Sequence, residues 1–359
     1  MNKQITQLHN FKNNYDFIRF LAASFVIITH AYALKGIEDG NDFLGQLIGA
    51  RYPFSFFGVR IFFLISGYLI LQSFERKKSY LDYLWKRFLR IIPGLFVLVL
   101  FMIFIFGPIF SVYTIKDYFT NTQTYQMMRS VTIYRLNGVL PGVFFENNQA
   151  QLLGSLWTLP YEFSMYIGVM ILGAIKLLDK RSFNLVVWMF SIVICVFYPT
   201  YFESIISSWY IPFFRLKIWY VIEFSCFFLG GMLAHQFREK IRFQFNIFLS
   251  ILLVFAVNVY FDNQIITRMM IYSLLPYVIF YLGNLKGKLN NFGKYGDFSY
   301  GIYIYGFPIQ QMLVFLTKNK STVFELQVLS FVIVLPLSIL SWHLVEKQAL
   351  KFKNKFSGL

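Results

Sequence analysis

Apolar residues along this chain come in unbroken runs of about twenty, parted by short polar stretches. The alternation of a half-buried strand and the one-sided stripe of a soluble helix are both missing. Ten such runs lie near 15–34, 54–74, 89–112, 157–176, 183–201, 217–235, 243–261, 265–284, 298–316 and 324–345. Each is long enough for a helix to cross the hydrocarbon core of a bilayer. They predict an all-α, polytopic integral membrane bundle of about ten transmembrane helices; barrel strands would alternate in shorter segments. The longest connection, roughly 113–156, reads as a loop with short amphipathic pieces. No fixed-period repeat or low-complexity tract appears, so one membrane domain over 1–359, with no fused soluble domain, is expected. Ala-Tyr-Ala at 31–33 imitates a signal-peptidase site. The long polar lead, with Asp16 and Arg19 at the start of the first run, favours an uncleaved first span.

Composition agrees: 57% of residues are hydrophobic and 14% charged, where soluble domains carry about a quarter charged. The 45 Phe and 24 Tyr suit lipid-facing surfaces and interfacial belts. A formal charge of +16 suggests nucleic acid until the basic residues are located. With the N-terminus inside, 21 of the 33 Lys and Arg fall in inner segments and 10 in outer ones. The other two, Arg19 and Arg60, lie within spans. That asymmetry puts both termini in the cytoplasm and accounts for the charge without a nucleic-acid partner. Cys195 and Cys226 lie in apolar runs, with no disulfide or metal-ligand spacing.

The informative residues are the polar ones inside the runs. Asp16, Arg19 and His30 sit in or beside span 1, and His30 lies about 16 Å beyond Arg19 at the helical rise, in the outer half of the membrane. Asp16, three residues before Arg19, shares its helix face and can neutralise it. Span 4 runs the other way and begins SLWTLPYEFSMY, which sets Glu162 at roughly the depth of His30. A His–Glu pair there would be a general base with its orienting carboxylate. Taken singly, His30 reads as an interfacial or packing residue, Arg19 as a snorkelling one and Glu162 as a helix cap. Arg60 either snorkels or serves a polar cavity. Ser66 and Gly67 suit close helix packing. Arg87 and Arg90, three apart before span 3, are a positive-inside cluster or a phosphate site.

Taken in order, these motifs resemble the bacterial membrane acyltransferase-3 family. Asp16, Arg19 and His30 resemble its D-x-x-R and R-x10-H opening; Phe62, Phe63, Ser66 and Gly67 its FF-x-x-SG signature. Arg87 and Arg90 match R-x-x-R, and Trp157, Thr158, Leu159 and Glu162 resemble W-[ST]-L-x-x-E. Ser299, Tyr300 and Tyr303 are similar to SY-x-x-Y, and Glu346 with Lys347 to the closing [LI]-E-[RK]-P. The chain departs from the pattern at Arg60, where many members are acidic or small, at Gly306, where many carry histidine, and at Gln348, where many carry proline.

The resemblance implies a multi-pass enzyme of the bacterial inner membrane that O-acylates cell-surface sugars, usually from acetyl-CoA. Arg87 and Arg90 would hold the donor's phosphates. His30 would act as general base or briefly carry the acyl group, with Glu162 orienting or charge-balancing it, and the catalytic set would include Arg19 with Asp16, which hold the helix register or contact the cofactor. Arg60, Ser66, Trp157, Tyr300 and Tyr303 would support the substrate path. The implied partners are the bilayer, acyl-CoA and a saccharide acceptor such as O-antigen, exopolysaccharide or capsule, or a lipid-linked precursor. No metal is expected. The rival readings are a transporter or flippase of a lipid-linked saccharide and a membrane glycosyl polymerase.

Overall fold

The computed structural model describes residues 13–356, and ten long helices dominate it. They are α1 (Tyr15–Leu34), α2 (Phe54–Glu75), α3 (Tyr80–Phe110), α4 (Leu159–Ala174), α5 (Arg181–Ile206), α6 (Ile218–Gln236), α7 (Phe245–Phe261), α8 (Gln264–Asn284), α9 (Ser299–Leu316) and α10 (Val323–Asn354). Strand is confined, among the described residues, to a two-residue antiparallel ladder, Tyr210–Ile211 with Leu216–Lys217, and one isolated bridge. The protein is an all-α membrane bundle. Seven of the helices are long and apolar enough to cross a bilayer; α4, α7 and α9 are not among the seven. The first two are short, at 16 and 17 residues, and α9 carries Gln310 and Gln311 among its tyrosines.

Two of the boundaries that differ from those read off hydropathy bear on the site; α5 and α10 also run on, to Ile206 and Asn354. Helix α3 begins at Tyr80 rather than near 89, because Ser79 caps it by accepting from the Asp82 amide and the amphipathic turns carrying Arg87 and Arg90 continue into the apolar run. Helix α4 begins late. The 3₁₀ turn Gly154–Thr158 leads into it from a buried entry, with Leu152, Leu153, Ser155 and Leu156 all inside the protein.

The core is built by α1, α2, α6 and α9. Helices α1 and α2 pack together, α2 packs on α6, and α9 lies between α1 and α10. Helices α2 and α6 meet backbone to backbone: a Cβ on Gly67 would stand 1.9 Å from the Phe228 carbonyl oxygen, and one on Gly231 1.9 Å from that of Leu64. Small residues permit such approach in a membrane, where packing rather than hydrophobicity joins helices. Helix α9 is buried almost throughout, whereas α7 buries only Asn258. Val186, Phe190, Val254, Val257, Val332 and Leu340 are exposed on the outer helices, as a lipid-facing surface requires. The connection between α3 and α4 folds into short helices and turns, which bury Tyr118 and Met127 on the former and Phe144 on the latter. Cys195 and Cys226 are free and buried.

Candidate functional site

Two cavities flank α2, one toward each of its ends. The first, about 220 Å³, is lined by Arg19 of α1, Phe62 and Ser66 of α2, and Lys86, Arg87 and Arg90 of α3. Thr158, Glu162 and Tyr166 around α4, Tyr300 and Tyr303 of α9 and Lys353 of α10 complete it. The second, about 200 Å³, is lined by His30, Arg51, Arg60, Ser155, Trp157 and Tyr303, among others. Val59 and Tyr303 line both, so these two side chains form the wall that the cavities share. Tyr303 is fixed there: its hydroxyl donates to the Ser155 carbonyl and is bonded to the Thr158 hydroxyl.

At the first cavity an acid missed in the sequence organises the arginines. Asp297, two residues before α9, pairs through Oδ2 with both Arg19 and Arg90. Its Oδ1 accepts from the Ser299 hydroxyl and backbone amide. Burial raises the Asp297 carboxyl, but Arg19, Arg90 and Ser299 outweigh it and hold it well below the usual carboxylate range. Asp16 therefore does not supply Arg19's ion pair; its carboxylate packs against Gly293, where a Cβ would come 1.9 Å from Oδ2. One carboxylate serving two guanidiniums leaves the group cationic. Arg87 has only a 3.2 Å bond from Nη2 to the Ser73 hydroxyl, and its Nε is buried without a partner among the described residues. Lys86 is paired with Asp82 at 2.7 Å.

Glu162 belongs to this cavity and not to His30. Its Oε1 accepts from the Tyr166 hydroxyl and, at 3.2 Å, from Ser66. The expected His30–Glu162 pair is not formed, because α4 begins deep in the bundle. The residues that reach His30's chamber are Ser155 and Trp157, one to two turns earlier. Trp157 is held edge-on to Tyr161 and tilted against Tyr220 and Phe224. Tyr300 is tied by its hydroxyl to the Ile91 carbonyl at 2.6 Å.

His30 faces the chamber with its ring edge-on to Phe307 at 5.1 Å, and among the described residues no hydrogen bond or ion pair reaches its imidazole. The backbone beneath it is pinned instead. Thr29 donates to Asp42 at 2.6 Å and accepts from the Ser55 amide at 2.9 Å, while Asp42 takes the Phe54 amide at 2.8 Å. Gln310 and Gln327 donate to the Ile27 and Ile28 carbonyls. Arg60 is neutralised by Glu223 at 2.6 Å, whose other oxygen accepts from Tyr272 at 2.8 Å. Asp42, Glu223, Asp297 and Gln310 were not singled out from the sequence. Glu223, Asp297 and Gln310 are polar residues in or beside an apolar run, which is the signal that would have found them, whereas Asp42 lies in the connection between two runs and carries no such signal.

The arrangement is a cationic cavity beside a histidine chamber inside a membrane bundle, and comparison with known proteins gives its class. The chain belongs to the acyltransferase-3 family: the acyltransferase domain of that family matches residues 12–343. It is similar to a protein described as an O-acetyl transferase from Shigella phage Sf6, 30% identical over 343 residues covering 94% of this chain and 96% of the phage protein. It is also similar to Nodulation protein 10 of Rhizobium leguminosarum bv. viciae, 26% identical over 370 residues covering 96% of this chain and 94% of that one. No solved structure matches the chain.

Proposed function

We propose that this acyltransferase moves an acetyl group from cytoplasmic acetyl-CoA to a sugar hydroxyl of a surface polysaccharide or its lipid-linked precursor, across the bacterial inner membrane. The observation that carries the reading is that the arginine cavity and the His30 chamber lie side by side with Val59 and Tyr303 as their common wall. Guanidiniums stand on one side of that wall and an imidazole on the other. The basic loops put the arginine end at the cytoplasm. There Arg87, with its unpartnered Nε, and Lys353 suit the phosphates of an acyl-CoA, while Arg90 and Arg19 are set in place by Asp297.

The donor supplies the acetyl thioester; this chain's residues do the rest. An extended thiol arm that passes Phe62 and Tyr303 from the arginine cavity would bring the thioester to the His30 chamber. The imidazole takes the proton of the acceptor hydroxyl as the new C–O bond forms. It returns that proton to the departing thiolate as the C–S bond breaks, so the transfer is proton-neutral. Ser66 and Tyr166 hold Glu162 beside the path, where its charge balances the arginines rather than orienting His30. Labelled acetyl-CoA and purified protein in nanodiscs test this. Arg87→Ala should raise the donor KM about tenfold or more, the loss of a charge-assisted contact of roughly 1.5–3 kcal/mol, with a much smaller change in kcat. Acetyl transfer at an unchanged donor KM would refute the assignment.

A further inference from the structure

Beside the His30 chamber lies a shallower pocket walled by Gly49, Arg51, Tyr52, Pro199, Gln264 and Arg268. Arg51 lines both, so the pocket and the chamber lie on either side of one side chain. Three arginines line the pocket and the chamber, and they differ in what they are bonded to. Arg60 is committed to Glu223. Arg51 is mostly exposed and only 4.0 Å from Glu203. Arg268, one turn after Gln264 on α8, is 9% exposed and makes no hydrogen bond or ion pair with a described residue; its Nε is buried without a partner. The nearby Asp262 accepts from Gln264 at 2.6 Å instead.

An arginine stays charged in any protein environment, and a charge removed from water needs an opposite one or a set of acceptors. Its planar fork matches the two oxygens of a carboxylate or phosphate. We propose that Arg268, with Arg51 at the rim, is an anion-binding subsite, and that the acceptor reaching His30 carries a carboxylate or phosphate group. The inference rests on the acyltransferase reading for the word acceptor, but the site itself does not. The anion docks on Arg268 and a neighbouring hydroxyl reaches on into the chamber. The two sources of such an anion are an acidic sugar residue and the phosphate of a lipid-linked saccharide.

The test uses purified full-length protein in nanodiscs without donor, titrated with methyl glucuronide, glucose 1-phosphate and neutral methyl glucoside. At least one anionic probe should bind tenfold or more tightly than the neutral one, weakening as salt rises. Preference for the glucuronide points to an acidic sugar, and for the phosphate to the lipid carrier. R268Q should lose the preference, R268K should keep part of it and R51Q should lose several-fold. Should R268Q fail to fold, R268K and R51Q decide. Equal binding of all three probes, or anion binding unchanged in these variants, overturns the subsite. Acetyl transfer is measured separately: transfer with no anion preference sinks this inference alone, and anion preference with no transfer sinks the proposed activity alone.

Discussion

Asp297→Asn isolates the electrostatics of the cationic cavity. The wild-type carboxylate serves Arg19 and Arg90, and the three side chains are only 15, 19 and 13% exposed for Arg19, Arg90 and Asp297 respectively. Removing the acid from a buried pair costs about 3–5 kcal/mol, since the stranded cation keeps its desolvation penalty. Both arginines reach the cavity and can draw water from it, which favours the lower end, about 3 kcal/mol. Asparagine preserves size and the bond to Ser299, so the loss reports charge. The assay is SDS-titrated unfolding of the purified protein in mixed micelles, with Asp16→Asn alongside. The structure predicts a clearly smaller effect at Asp16, whereas the D-x-x-R spacing alone predicts the reverse. The pH dependence has a fixed sign. Because Asp297 is held below its ordinary range, its contribution is complete above about pH 4 and fades as pH falls toward the depressed folded value. The gap between wild type and variant should therefore be flat from pH 5 to 8 and narrow below 4. A variant as stable as wild type at pH 7, or a gap that widens in acid, would refute the shared-carboxylate account.

Two further outcomes follow from packing. Gly67→Val sets new atoms against the Phe228 carbonyl, which cannot swing aside as a side chain would, so a loss of about 3 kcal/mol, the upper end of overpacking costs, should show as poor recovery of monodisperse protein. Arg60→Met strands Glu223 beside Tyr272 and should cost about 3–5 kcal/mol in the same unfolding assay, while the double variant with Glu223→Leu should regain much of it. Additive losses would mean that the pair is not coupled.

Much of the bundle was readable from hydropathy because a lipid-crossing helix announces itself by length alone. All ten runs are helices, and the glycine at 67 does sit at a close crossing. What failed was depth. Counting residues from the start of span 4 set Glu162 level with His30, but Gly154–Thr158 has already carried the chain inward, and only tertiary packing fixes that entry. Pairing failed similarly. Spacing on one helix favoured Asp16 for Arg19, whereas the actual partner, Asp297, is 278 residues away and comes from the turn before α9. Local sequence offers i, i+3 neighbours, but a buried cation takes whichever acid the fold presents. Arg87 and Arg90 were legible as a pair, yet only the structure separates the one bound to Asp297 from the one whose Nε is without a partner.

The central claim is that His30 handles the proton of the acyl acceptor, and His30→Ala tests it most directly because no hydrogen bond or ion pair with a described residue is lost with the imidazole. Surface glycans from cells making equal membrane levels of wild type and variant would be compared by mass spectrometry. The account predicts an acetyl mass increment on the wild-type glycan and none on that of the variant; the same increment on both would contradict it.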